Sequence, residues 1–151
     1  MLKKSKKQAF IIACIGCVEV IGDRLGPLVG DLLIARGINT FVYGTTQNPI
    51  TSKNIDQFKD VISRRHPKAK VIAVDACLGK LKEVGKIKVI NGGLAPGKAL
   101  DRSALSYGDV GVLSIVGEIH ENPLEELLTR SAVFISKLAA KTADVVFKLA
   151  S

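Results

Sequence analysis

The segment "AKVIAVDA", Ala69 to Ala76, decides the fold. Apolar and β-branched residues occupy both its odd and its even positions, so neither face is left for water. Such a strand lies inside a parallel sheet that is covered on both sides. It closes on an acid, Asp75, at the end where open parallel sheets bind their ligands. Upstream, "NIDQFKDVISRRH" (Asn54 to His66) sets Ile55, Phe58, Val61 and Ile62 on one face of a helix, with Asn54 as its cap and Pro67 as its stop. "NTFVYG" (Asn39 to Gly44) reads as a short strand, and "QAFIIACIG" (Gln8 to Gly16) as another buried one. Between them, "DRLGPLVGDLLIARG" is apolar at Leu25, Leu28, Val29, Leu32 and Leu33, a helical period that Gly37 ends. Pro27 is tolerated only in a first turn, so this helix begins close to Asp23. Strand, helix, strand, helix, strand at this spacing implies right-handed parallel crossovers and a doubly wound α/β sheet.

Downstream the pattern changes. "GKIKVINGG" (Gly85 to Gly93) alternates lysine with apolar residues, which marks an edge or antiparallel strand with one wet face. "LAPGKALDRSALSYGD" reads as a long loop, and "VGVLSIVGEI" (Val110 to Ile119) as a last buried strand. From Asn122 a helical period runs almost to the end, with Pro123, Glu125 and Glu126 forming its first turn.

The chain has 151 residues, enough for one domain, with a basic flexible arm at 1–7 and a single α/β domain over 8–151. It has no Trp and few aromatics, so Ile, Val, Leu and Ala build the core. The net charge is +8, and Lys3, Lys4, Lys6 and Lys7 supply half of that excess. Further cations gather in "RRHPKAK" (Arg64 to Lys70). No basic helix or aromatic-rich strand accompanies them, so no nucleic-acid module is recognisable and nucleic acid is not the expected partner. Cys14, Cys17 and Cys77 form an odd set. Cys14 and Cys17 make a C-x-x-C on and just after a strand rather than at a helix start, and no further ligand pair completes a zinc site. They read as reduced cytoplasmic thiols. The apolar run before Cys14, Ala9 to Ala13, is too short for a secretory leader, which needs about seven residues or more, and no run reaches membrane-spanning length.

Three residues fall at the carboxyl edge of the expected sheet: Asp23 after the first strand, Asp75 at the end of the third, and His120 after the last, with Cys77 and Glu118 nearby. Each has a plain structural use. Asp23 can cap the first helix, Asp75 can cap the "ACLG" turn, and His120 can be a surface residue. Two aspartates at two strand ends point instead to one acidic site. A Cys77 nucleophile with His120 as base is a further arrangement, without an orienting third group. There is no phosphate loop, no dinucleotide fingerprint after the first strand and no G-x-S-x-G elbow.

"IGDRLGPLVG", "FVYGTTQNPI" and "VIAVDACLGK", each after a strand, together with "VGKIKVINGGLAPGKAL" and "GDVGVLSIVG", resemble the YyaC-type sporulation proteins over nearly the whole chain beyond the lysine arm. That family is more remotely similar to the germination proteases of spore formers and to the hydrogenase-maturation endopeptidases. The resemblance implies a three-layer α/β/α fold with a mixed, mostly parallel sheet of about five strands, one of them antiparallel. It implies a sporulation-associated peptidase acting on a protein or peptide in the cytoplasm of the sporulating cell or spore, with its oligomeric state left open. The suspected catalytic aspartates of the germination proteases map onto Asp23 and Asp75. Two metal ligands of the hydrogenase-maturation enzymes map onto the same pair, with His120 as a third candidate for one divalent ion. The first loop departs from its relatives: they carry an aspartate and arginine where this chain reads "GCVEVIG", with Glu19 as its acid. Two carboxylates at one site do not both ionise easily, so one holds a proton while the other activates water. The altered loop also allows a non-catalytic binding or regulatory protein on a peptidase fold.

Overall fold

The computed structural model describes residues 9–92 and 107–151. The arm expected at 1–7 and most of the loop expected at 94–109 lie outside the described residues. Strands β1 (Phe10–Cys14), β2 (Val42–Tyr43), β3 (Lys70–Gly79), β4 (Ile87–Asn91) and β5 (Val110–Glu118) form one sheet in the order β2-β1-β3-β5-β4. All neighbours are parallel except β4, which runs antiparallel to β5 at the edge. The alternating lysines foretold that position: Lys88 is exposed on β4, and its ammonium meets Glu83 Oε2 at 2.6 Å. Exposed lysines on an edge strand discourage pairing with another chain.

Helices cover both faces, giving the three layers. α1 (Leu25–Ala35) and α4 (Ala132–Ala150) lie on one side, and α2 (Ile55–Arg65) on the other. On β3 the residues of even number (Ile72, Val74, Ala76, Leu78) face α1 and α4, while Val71, Ala73 and Cys77 face α2. α4 buries Ile135, Leu138, Ala139, Ala143 and Val146 at helical spacing. Full burial of a side chain such as Ile135 or Leu138 contributes roughly 1.5–3 kcal/mol.

One polar contact crosses that apolar layer. Thr142 Oγ1 donates to the carbonyl of Leu138 at 2.7 Å, so the Ser114 hydroxyl donates to Thr142 at 2.6 Å. Both residues are wholly buried. Thr142→Val is expected to cost about 1–3 kcal/mol, because it strands the Ser114 hydroxyl. The double change Ser114→Ala/Thr142→Val should recover most of the loss in urea unfolding. A double variant as weak as the single one would show that volume, not the hydroxyl chain, sets the cost.

The structure corrects four sequence expectations. β3 does not stop at Ala76 but continues to Gly79, because β5 goes on pairing with it as far as Glu118, through an irregularity between Cys77 and Leu78. β2 keeps only two residues; the chain before it is held to β1 by Ile12 N donating to Phe41 O at 3.1 Å and by the Thr40 hydroxyl bonded to the Phe10 carbonyl. Asn54 does not cap α2. Its side chain accepts from Thr51 N at 2.7 Å and donates to Pro49 O at 3.0 Å, fastening the loop ahead of the helix. The final helix is two helices, α3 (Pro123–Leu128) and α4. Thr129 Oγ1 donates to Glu125 O and Arg130 Nε to Glu126 O, which closes α3, and the Ser131 hydroxyl then accepts from Phe134 N and opens α4.

Candidate active site

β1 ends where the site begins. Its last pairing with β3 joins Cys14 to Val74, and Ile15 N still donates to Val74 O at 2.8 Å. The chain then leaves the sheet at Gly16 and re-forms as a 3-10 turn, Ile21–Arg24, that runs straight into α1. Two glycines let backbone lie on backbone here. A Cβ on Gly16 would stand 2.1 Å from the carbonyl oxygen of Asp23, and one on Gly26 would stand 2.1 Å from that of Ile15. The turn and the start of α1 therefore press directly onto the end of β1.

Asp23 sits in this turn and does not cap α1. The residue at the cap position is Arg24, whose side chain makes no capping bond. Instead Asp23 Oδ2 accepts from the amide of Cys17 at 2.8 Å, folding the carboxylate back over the loop that follows β1. Arg24 Nε donates to Val18 O at 2.8 Å and fixes the same loop from the other side. Gly22 lies against Leu127 of α3, so the turn is also anchored to the far end of the sheet.

Asp75 is not at a strand end. It lies within β3, opposite Leu113 of β5, one residue past the last pairing with β1. By strand alternation it shares the α2 side with Ala73 and Cys77. It is 5% exposed, and its Oδ1 accepts from Ala76 N at 2.9 Å. It caps no turn, since "ACLG" is strand. The turn that carries Asp23 packs against β3, the strand that carries Asp75.

His120 stands apart in use. It is exposed in the turn after β5, and its Nδ1 accepts from Asn122 N at 3.0 Å; Asn122 in turn caps α3 through Glu125 N. Glu118 is exposed, with its amide bonded to Glu126 Oε2. Among the described residues no three His, Cys, Asp or Glu side chains group so as to hold a metal ion. Asp23, Asp75 and His120 do not form such a group. Glu19 is exposed in the first loop.

Among the described residues none of the three cysteines is in a disulfide. Burial, and secondarily the negative charge of Asp31, push the Cys14 thiol far up. Cys77 is 3% exposed in the α2-side core, a poor position for a nucleophile that must meet a peptide. Cys17 is only half-buried. Brief iodoacetamide treatment of the native protein is expected to modify Cys17 alone, and all three thiols in denaturant, as read by peptide mass spectrometry. Early labelling of Cys14 would show that the end of β1 opens.

The backbone amides of Cys17 and Ala76 are the parts that sequence reading missed. Amides leave no mark in a sequence; here only the glycine at 16, where the chain must turn sharply off β1, hinted at the first.

A family model described as "Protein of unknown function (DUF1256)" matches residues 1–147. The chain belongs to this family. The family likeness read from the motifs agrees with a second finding: over 116 residues the chain is 37% identical to "Uncharacterized protein YyaC" of Bacillus subtilis (strain 168), covering 76% of this chain and 57% of that protein. The chain thus spans little more than half the length of that curated relative. Two solved structures share the fold. The NiFe hydrogenase maturation protease HybD from Thermococcus kodakarensis superposes with a TM-score of 0.66 at 17% identity, covering 95% of this chain and all of that one. HycI, the NiFe hydrogenase maturation protease from Thermococcus kodakarensis KOD1, gives 0.62 at 19% identity, covering 96% and 94%. The DUF1256 member described here therefore has the hydrogenase-maturation-protease fold, with its five-stranded mixed sheet. Among the described residues no helix is long and apolar enough to cross a membrane.

Proposed function

We propose that this protein is a peptidase of the sporulating cell that cleaves a protein or peptide substrate with Asp23 and Asp75 as its acid–base pair. One observation carries the reading: Asp75 is a carboxyl group buried within the central strand, just past the last pairing of that strand with β1, at the end of the sheet where open parallel sheets bind their ligands. A buried carboxylate that caps no turn and ends no helix is best explained by chemistry. Asp23 supports it from the neighbouring turn, its carboxylate oriented by the Cys17 amide.

In this mechanism one carboxylate takes a proton from water as it attacks the scissile carbonyl, and the other, protonated, donates to the leaving amine. The order of the two roles stays open. The proteases with this fold lend the peptidase reading weight by analogy, and the sporulation setting comes from the family resemblance.

The test is a comparison of new peptide N-termini. Wild type and the Asp23→Asn/Asp75→Asn double variant are each incubated with sporulating-cell extract, with and without chelator. New termini with wild type alone, unchanged by chelator, are the expected result. Termini that vanish with chelator would replace the paired-carboxylate mechanism by a metal-dependent one. Identical termini from both folded proteins would overturn the peptidase reading and favour a binding or regulatory role, which the altered loop around the exposed Glu19 accommodates.

A further inference from the structure

The opposite edge of the sheet, where β1 and β3 begin, carries a different kind of surface. Phe41, just before β2, is 61% exposed. Its ring leans on the imidazole of His66, centroid to centroid 4.8 Å at 46°. That imidazole is fixed from behind: Tyr43 Oη and His66 Nε2 are 2.8 Å apart, and Tyr43 meets Phe58 edge-on. The backbone fixes it as well, since His66 N donates to Ile62 O at 2.8 Å and Ala69 N to His66 O at 3.1 Å. Phe41 is therefore a buttressed ring with its outer side in water.

Cations flank it. Arg65, Lys68 and Lys70 are exposed around the His66–Ala69 turn and form no ion pair among the described residues. The acids nearby are already engaged: Asp60 pairs with Arg64 at 2.7 Å, and Asp109 Oδ2 accepts from Val71 N at 2.8 Å. Lys70 N donates to Ala9 O at 3.0 Å, so the segment whose sequence holds Lys3, Lys4, Lys6 and Lys7 joins the domain at this same edge.

We propose that this edge binds single-stranded nucleic acid, with a base stacked on Phe41 and the phosphates following Arg65, Lys68 and Lys70. Stacking on an exposed ring and neutralising a backbone with nearby cations are the two parts of sequence-tolerant single-strand binding. A duplex keeps its base faces stacked internally and offers only its phosphates. A ring leaning on a fixed imidazole presents a face, which suits a base better than it suits insertion into a lipid surface. The inference is independent of the peptidase reading, because none of these residues belongs to the acidic site.

The experiment is fluorescence anisotropy with a labelled 20-nucleotide oligothymidylate and with a duplex of equal length, from 50 to 200 mM salt. Wild type, Phe41→Ala and Arg65→Glu/Lys68→Glu are compared as full chains, each checked by thermal melting. Wild type should prefer the single strand, and Phe41→Ala should weaken that binding by about tenfold. The charge reversal should weaken it further and flatten the log–log salt slope by at least about 1.4, the release from two phosphates. No binding at 50 mM salt, equal affinity for duplex, or a folded Phe41→Ala with unchanged affinity would each overturn the proposal. So would binding to phosphatidylserine vesicles without binding to the oligonucleotide.

Discussion

Asp75→Asn is expected to fold as the wild type does and to lose substrate cleavage by about 10²–10⁴-fold, the usual contribution of a positioned acid or base. The amide is nearly isosteric with the carboxylate, and its oxygen can still accept from Ala76 N. The substitution keeps the volume and that bond, so the melting temperature should change little. Asp23→Asn should lose a similar factor. If the two act as one unit, the double variant will be little worse than either single one. Cleavage rate and thermal melt, measured on the same preparations, separate the outcomes. Unfolding of Asp75→Asn would mean that the carboxylate serves the fold. A folded variant with wild-type cleavage would remove Asp75 from the chemistry.

Gly44→Ala carries the largest expected cost to stability. Gly44 has φ +91°, and a Cβ there would stand 1.9 Å from the carbonyl oxygen of Cys14 and 2.9 Å from its carbon. Those atoms belong to β1, in the middle of the sheet, and have no room to retreat. Left-handed strain of roughly 1–2 kcal/mol adds to overpacking of about 1–3 kcal/mol or more, so a loss near 3–5 kcal/mol is expected. That is a large part of the 5–15 kcal/mol that typically holds a domain together. Gly37→Ala is the matched control. It too has positive φ, +72°, yet nothing lies within 4 Å of its Cβ position, so it should cost only the strain. Urea midpoints of the two variants measure the difference. Equal losses would show that the collision at Cys14 O is relieved without cost.

Most of the fold was legible because its strands differ in how they are wetted. β3, buried on both faces, reads as unbroken apolar sequence, and β4, half-wet at the edge, reads as alternation. What stayed hidden was set by partners far along the chain. Nothing in "CLG" says strand; β5 makes it one by pairing Cys77 with Ile115 and Gly79 with Glu118. The break between α3 and α4 was masked because apolar period continues across it, while the side chains of Thr129, Arg130 and Ser131 terminate one helix and start the next. The two candidate acids were singled out from their places beside strands, but their settings were not legible. Asp23 looked like a helix cap and is held by a loop amide; Asp75 looked like a turn residue and is inside the sheet. His120 had the right residue type in the right order along the chain, and its imidazole is spent on the turn before α3.

The glycine contacts beneath α1 also have a mechanical meaning. Where two elements meet through side chains, rotamers give the interface several ways to settle, and the elements can shift past each other. α1 meets its neighbours differently. A Cβ on Gly26 would strike Ile15 O, one on Gly30 would stand 1.9 Å from Gly44 O, and Gly44 itself rests on Cys14 O. Bare backbone against bare backbone has one fit and no second setting. The turn bearing Asp23 is thus the fixed jaw of a vice, clamped to the first strand at its base. Under the proposed peptidase reading, adaptation to a polypeptide falls to the opposing jaw, and Asp23 is held in place before the substrate arrives.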